Sequence, residues 1–331
     1  MPGRLIRLFA CALLLTGAQA STLTAQVKAD CDRGCLRTTL DQYLRAVIAH
    51  DPAAAPLFVA FRQTENAINV PRGEGMWKTV TGLGKVQRRF FDPVTGQAGY
   101  YGIVEEGTTL AIVTVRVRVE QRRITEAEWF IARAGDPGLR GAARPGQPPP
   151  NLFNPDALTA SPPPDRTLPP AKRAPREVLL AVTNSYFDGI TSHDGTVIMA
   201  HPGCSRIENG TLVTVPGPSG GPNSNTPVVD RDCAFGLKTF DLAMVVGRRL
   251  PLVDEEAGVV LGLAIFIRRP GSTTPRNVFS EWFFIDDNKI RSIYTAMFYP
   301  GPDLAVPNWP PYEGHWPLPA PASPVPAPAP R

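Results

Sequence analysis

Apolar side chains at Leu36, Leu40, Tyr43, Leu44 and Val47 fall on one stripe of a helix with a 3.6-residue period. His50-Asp51-Pro52 breaks the stripe, and Asp51 followed by proline reads as the cap and first residue of a second helix over Ala53–Val59. A turn follows around Asn66–Gly75. From Val86 the period changes to two, which predicts strands at Val86–Phe91, Ala98–Glu105, Thr109–Val119 and Ile124–Ala132. Turns at Asp92–Gly96 and Glu106-Gly107 separate them. After a stretch without pattern the order returns. Leu179, Val182, Tyr186, Phe187 and Ile190 form a second helical stripe, and His193-Asp194-Gly195 ends it. Strands are then predicted at Thr239–Val246, Val259–Ile267, Val278–Ile285 and Ile290–Tyr299. Helices followed by an antiparallel meander, twice over, define an α+β class.

The two halves share residues as well as pattern. Tyr43, His50, Asp51, Glu65 and Asn66 recur as Tyr186, His193, Asp194, Glu208 and Asn209, each 143 positions later. Arg88-Arg89 and Asp92…Gly96 recur as Arg248-Arg249 and Asp254…Gly258, after an insertion that includes the Gly/Pro/Ser/Asn loop Pro216–Pro227. Identities in register at this spacing indicate an internal duplication. The expected organisation is a domain over 28–134, a proline-rich linker over 135–175, a second domain over 176–300 and a Pro/Ala-rich disordered tail over 301–331.

One hairpin can be read to its register. Val113, Val115, Val117 and Val119 alternate with Thr114, Arg116 and Arg118; on the return, Ala127, Trp129 and Ile131 alternate with Glu126 and Glu128. A three-residue loop at Gln121–Arg123 sets Arg118 opposite Glu126 and Arg116 opposite Glu128, an ion ladder on the outer face with valines facing Trp129 inside. Two neighbouring glutamates also suit acid/base work, but the ladder accounts for them better. With Ile124 laid on Ile290, the positions of Arg116, Arg118 and Glu128 become Trp282, Phe284 and Tyr294. An aromatic outer sheet face implies a cover, either the other domain of the chain or a second copy in a homodimer.

Composition narrows the function classes. The 331 residues carry a formal net charge of only +4, with Lys and Arg scattered, so no basic face for nucleic acid is visible. Residues 1–20 read as a signal peptide: Arg4 and Arg7, the apolar run Leu8–Leu15, and Ala18-Gln19-Ala20 before Ser21. The expected location is secreted or periplasmic, with no membrane association after cleavage. Four cysteines then remain, Cys31, Cys35, Cys204 and Cys233, which suits two disulfides in one of three connectivities. The cheapest pairing is local, Cys31 with Cys35 and Cys204 with Cys233. A zinc set of His201, Cys204 and Cys233 lacks the usual ligand spacing. No phosphate-cradling glycine loop, nucleotide fingerprint or Ser-His-Asp phrase stands in the needed context, so neither metal nor cofactor is expected. Asn209-Gly210-Thr211 fits a glycosylation sequon.

The phrases Leu40–Asp51 with their Tyr…His-Asp ending, Arg62–Asn66, Gly73–Trp77 and Arg116–Glu128 resemble the cone-shaped fold of the nuclear transport factor 2-like superfamily. That group includes SnoaL-like polyketide cyclases and ketosteroid isomerase, and the tandem arrangement is similar to secreted proteins of fungi and bacteria. The resemblance covers roughly 28–134 and 176–300. It implies two tandem cone-shaped domains, each with N-terminal helices packed on a bent antiparallel sheet around an apolar pocket, and an outer face that commonly dimerises. It further implies a carboxylate, histidine or tyrosine inside, where desolvation raises a carboxyl pKa toward that of a proton shuttle. The superfamily's catalytic positions do not match residue by residue.

Glu65 and Glu208, at the expected cone mouths, are the candidate proton acceptors; the alternative is a turn, since Asn209 precedes Gly210. Tyr43, Asn66, Trp77, Tyr101, Tyr186 and Asn209 are the candidate ligand-binding residues, against a default of core packing that also covers Tyr100. His50-Asp51 and His193-Asp194 look like catalytic pairs but sit where aspartate caps a helix, and His201 reads as a loop residue. The functional expectation is an exported binder of a small, largely apolar molecule, with isomerase, cyclase or dehydratase-type proton transfer as its chemistry. A non-catalytic binding or assembly module using the outer sheet faces is the alternative.

Overall fold

The computed structural model describes residues 30–138, 146, 151–214, 217–218, 228–229, 231–272, 274 and 277–300; the expected signal peptide and C-terminal tail lie outside them. The chain forms two α+β domains. In the first, helix α1 (Arg33–Ile48) precedes strands β1 (Leu57–Glu65) and β2 (Ile68–Val70), a short helix α2 (Met76–Thr79), and strands β3 (Gly82–Asp92), β4 (Gln97–Glu106), β5 (Thr109–Glu120) and β6 (Arg123–Arg133). The sheet order is β2-β1-β6-β5-β4-β3.

Asp32 starts α1 by accepting from the Cys35 amide at 2.8 Å. His50, in left-handed geometry at φ 55°, follows its C-terminus, and Asp51 accepts from the Ala53 amide at 2.9 Å. That turn delivers the chain to a strand. The helix expected over Ala53–Val59 does not form, because β1 finds a parallel partner in β6, Glu65 lying beside Trp129. The sheet is therefore mixed, with one parallel pair in an otherwise antiparallel order.

The connection to the second domain is less extended than its prolines suggest. Helix α3 (Pro155–Ala160) is capped by Asn154 and buries Leu158 completely, and Arg166 bonds the Ala257 carbonyl at 2.8 Å and Asp286 at 2.6 Å. Helix α4 (Arg176–Ser192) then leads into β7 (Ala200–Glu208) and β8 (Thr211–Leu212). A two-stranded ribbon follows, β9 (Gly217–Pro218) with β10 (Val228–Val229). The domain closes with β11 (Met244–Asp254), β12 (Val259–Ile267), β13 (Val278–Asp286) and β14 (Lys289–Phe298). The order β11-β12-β13-β14-β7-β8 repeats the first sheet, including the parallel pair, here β7 with β14.

Disulfides join Cys31 to Cys35 and Cys204 to Cys233, and no described helix is long and apolar enough to cross a membrane. The disulfides fit an oxidising, extracellular setting.

Each sheet turns its inner face to its own helix and its outer face to the other domain. Trp282 lies against Phe90 with ring centroids 4.6 Å apart and donates from Nε1 to Thr114 Oγ1 at 2.9 Å. Gly99 is bare because a Cβ there would strike the Trp282 ring. Phe284 and Tyr294 complete this layer. The hairpin register has Arg116 opposite Glu128 and Arg118 opposite Glu126, with a two-residue loop, Gln121-Arg122, at positive φ. The Arg116–Glu128 rung is not solvated, however, while Arg118 keeps 37% of its side chain exposed. Arg116 and Glu128 are each 1% exposed, and Arg249 of the second domain reaches Glu128 at 2.7 Å. Burial disfavours the Glu128 charge, yet Arg116 and Arg249 together hold its carboxyl below the usual range.

The two domains are also latched reciprocally. Arg33 makes a bidentate pair with Asp254 at 2.8 and 3.0 Å, and Arg176 makes one with Asp92 at 2.9 and 2.7 Å. Asp254 also accepts from the Phe91 amide at 2.8 Å, and Asp92 from the Val253 amide at 3.0 Å. Arg33 and Arg176 are 143 positions apart, as are the repeated residues above. The contact is self-complementary in the manner of a two-fold dimer, within one chain.

Candidate functional site

Side chains directly opposite one another across neighbouring strands point to the same face, so the inner faces can be read as rows. In the first domain one row runs Tyr100 (β4), Val115 (β5), Trp129 (β6), Glu65 (β1). The matching row of the second domain is Gly262 (β12), Glu281 (β13), Thr295 (β14), Glu208 (β7). Two large aromatic residues are replaced by glycine and threonine, and a valine by a glutamate.

The first row is closed. Trp129 Nε1 donates to the Tyr43 hydroxyl at 2.9 Å, and that hydroxyl donates to Gln63 Oε1 at 3.0 Å. Trp77 Nε1 donates to the same oxygen at 2.8 Å, while Gln63 Nε2 donates to Glu65 Oε1 at 3.1 Å. Glu65 Oε1 also accepts from the Met76 amide at 2.6 Å, its carboxylate lying over Gly75 where no Cβ would fit. Burial raises the Glu65 carboxyl, opposed by the Met76 amide and the charge of Arg133. Tyr43, Trp77 and Trp129 fill the interior, with Tyr43 edge-on to Trp77 at 5.4 Å. None of these residues keeps a buried side-chain polar atom without a partner.

The second row is open. Gln63 is replaced by Arg206, whose guanidinium lies over the Tyr186 ring at 6.0 Å and pairs with Glu208 at 2.9 Å. Arg206 Nη2 stands 3.3 Å from Glu281 Oε1, but the angles are not those of a hydrogen bond. Both Glu281 oxygens, Arg206 Nε and Thr295 Oγ1 are buried without a hydrogen-bond partner. Glu281 is 0% exposed. Burial pushes its carboxyl up to about 7, against the pull of Arg206 and with a small push from Glu208. Arg206 stays charged despite burial because Glu208 and Glu281 face it. Buried polar groups left unpaired cost about 1–3 kcal/mol each, more when charged, so such a cluster is a poor device for stability.

The repeated histidines show a further exchange. His50 Nδ1 contacts the Trp77 carbonyl at 2.6 Å, and His193 Nδ1 contacts the Leu237 carbonyl at 3.0 Å, so Leu237 stands where the first copy has a tryptophan. Phe187 and Phe283 take the place beside Gly262, touching the position where its Cβ would sit. Otherwise the histidine–aspartate phrases are helix exits in both copies, Asp194 accepting from the Thr196 amide at 2.9 Å.

Of the residues singled out from sequence, Tyr43, Trp77 and Glu65 meet through Gln63, and Tyr186 and Glu208 meet through Arg206. Asn66 and Asn209 do not face either interior. Asn66 pairs its side-chain amide with both backbone groups of Ile131 at 3.1 and 2.8 Å, and Asn209 does so with Met297 at 3.0 and 2.8 Å. Their left-handed backbone, φ 48° and 45°, ends the parallel strand in each copy. Tyr101 points outward, its hydroxyl 3.5 Å from the Thr295 carbonyl across the domain interface. Tyr100 is a core residue bonded to the Ile103 carbonyl at 3.0 Å. His201 contacts the Asp286 carbonyl at 2.9 Å, and Cys204 and Cys233 are spent on their disulfide. Arg206, Glu281 and Thr295 were not anticipated, and each is a position where the duplication breaks.

The fold and this interior define a two-domain α+β protein with a polar cluster buried inside its second domain. A family model described as a domain of unknown function (DUF8021) matches residues 172–297, the second domain from just before α4 into β14. No match to a curated protein was found.

Proposed function

We propose that this is an exported tandem protein of the nuclear transport factor 2-like kind whose second domain binds a small, largely apolar molecule. Glu281 is its proton carrier, in cofactor-free chemistry of the isomerase, cyclase or dehydratase type. The observation that carries this reading is Glu281 itself: fully buried, without a hydrogen bond at either oxygen, and beside a guanidinium. A carboxyl held near neutrality can take a proton and return it at physiological pH, which one at its ordinary value does poorly. Phe187, Phe279, Phe283 and Ile293 belong to the same core and supply an apolar surrounding. Arg206, held by Glu208, is placed to stabilise negative charge developing on the bound molecule. The first domain, with its row closed, supports the second through the shared interface.

The test is a thermal-shift screen of the mature protein against hydrophobic small molecules. A ligand that binds only the folded state raises the melting temperature by mass action. Stabilisation should disappear in Glu281→Gln and weaken in Glu208→Gln, but persist in Glu65→Gln. Loss in Glu65→Gln alone would move the site to the first domain, and no stabilisation by any compound would remove the binding reading. The assembly alternative has less support, since Trp282 and Phe284 are already covered within the chain. It would regain weight if light scattering found an oligomer.

A further inference from the structure

We infer that the molecule held in the second domain carries a protonated amine. This rests on reading that interior as a binding site, and it follows from the charge and hydrogen-bond inventory. The charged groups acting on Glu281 are Arg206 and Glu208, so one guanidinium faces two carboxylates. Arg206 is drawn to Glu208 at 2.9 Å and gives Glu281 only an ill-aligned contact at 3.3 Å. The open groups next to Glu281 are its own two oxygens and, directly across the strand pair, Thr295 Oγ1. An ammonium offers three donors and no acceptor, which matches three oxygens in want of protons. It also supplies the missing positive charge.

The walls agree. Tyr186, Phe187 and Phe283 pack around one another at centroid distances of 5.3 to 5.8 Å, and aromatic faces attract cations. A carboxylate or phosphate entering here would meet two glutamates, while a hydrocarbon would leave the Glu281 oxygens as unpaired as before. Arg206 Nε is a spare donor for an oxygen on the same molecule. The compact replacement at Thr295, where the first copy has Trp129, suits a small body behind the amine rather than an extended chain.

Calorimetric titration of the mature protein with three probes on one phenethyl frame tests this: phenethylammonium, 2-phenylethanol and 3-phenylpropionate. The ammonium should bind at least about tenfold more tightly than the alcohol, with the carboxylate weakest. Titrations near pH 6.5 in buffers of different ionisation heat should show proton release, as Glu281 gives up its proton to face the cation. Glu281→Gln should bring ammonium and alcohol to parity; Thr295→Val, which keeps the carboxylate, should lower the ammonium affinity alone. Equal or stronger binding of the alcohol or carboxylate to wild type would overturn the amine inference and leave the small-molecule reading standing. Should neither these probes nor the wider screen bind, both would fall.

Discussion

The inner faces of the two domains share one frame and differ in what they leave unfinished. The same helix exit at His50 and His193, the same asparagine clamp at Asn66 and Asn209, and the same parallel strand pair recur. On that frame the first copy runs an unbroken relay from Trp129 through Tyr43 and Gln63 to Glu65. The second substitutes threonine, arginine and a buried glutamate, and leaves Thr295 Oγ1, Arg206 Nε and both Glu281 oxygens without a hydrogen bond. Since the backbone arrangement is common to both, the difference lies in side-chain chemistry. One interior pairs its buried polar atoms; the other keeps several without a hydrogen bond, at a cost in stability.

The largest test of this contrast is to open the closed copy. Trp129→Thr should cost about 3–5 kcal/mol in chemical denaturation, from the cavity and the unpaired Tyr43 hydroxyl together. Its mirror, Thr295→Trp, should abolish ligand stabilisation. A loss below about 1 kcal/mol for Trp129→Thr would mean that the first interior is not a packed core.

The interface should treat the copies alike where the interiors do not. Asp92→Ala and Asp254→Ala each remove a bidentate arginine pair and strand a backbone amide across the dyad, Arg33 keeping a contact with Glu256 at 3.6 Å. Arg33 and Arg176 keep 24% and 20% of their side chains exposed, so each change should cost about 3 kcal/mol, toward the low end for a broken buried pair. Markedly unequal costs would break the two-fold description.

The pH dependence separates the interiors again. The carboxyl of Glu281 lies at about 7 in the folded state, above its ordinary 4.5, so the folded protein binds the proton more tightly than the unfolded chain. Stability should be fullest below about pH 4.5 and decline as pH rises through 7, by on the order of 3 kcal/mol from this group. Glu65 is raised too and adds to the slope, so the informative quantity is the difference between wild type and Glu281→Gln. Denaturant midpoints at pH 5 and pH 8 should converge in the variant; an unchanged slope would deny Glu281 its role as the titrating group.

The smallest contrast concerns the disulfides. Cys204–Cys233 spans 29 positions and Cys31–Cys35 only 4. Chain entropy predicts about 3.6 kcal/mol for the first and about 1.9 for the second, so pairwise Cys→Ser variants should differ in that order.

Repetition and period are legible in the sequence alone. The ladder register at Arg116–Glu128 and Arg118–Glu126 follows from alternation, which holds for any strand pair joined by a short loop. Its burial was not legible, because solvent exposure of that face depends on Arg249 and Trp282, more than 120 residues away. Strand β1 was hidden for a similar reason. Pro52, Ala53, Ala54 and Ala55 look like a helix start, and only the later strand β6 offers the parallel edge that draws Leu57–Glu65 into a sheet.

The candidate site divides along the same line. Glu65 and Glu208 were found because they repeat, while Glu281 and Arg206 were missed because they do not. The available signal was departure from the repeat: valine to glutamate at 115 and 281 on an otherwise apolar face, and glutamine to arginine at 63 and 206. By itself the sequence determined the two helical stripes, the strand alternation and the duplication, since these rest on local spacing that any fold must obey. Only the tertiary structure decided which faces meet, which ladder rung is buried and which glutamate lacks a hydrogen bond. Those properties belong to pairs of residues brought together by packing, and the spacing along one chain does not contain them.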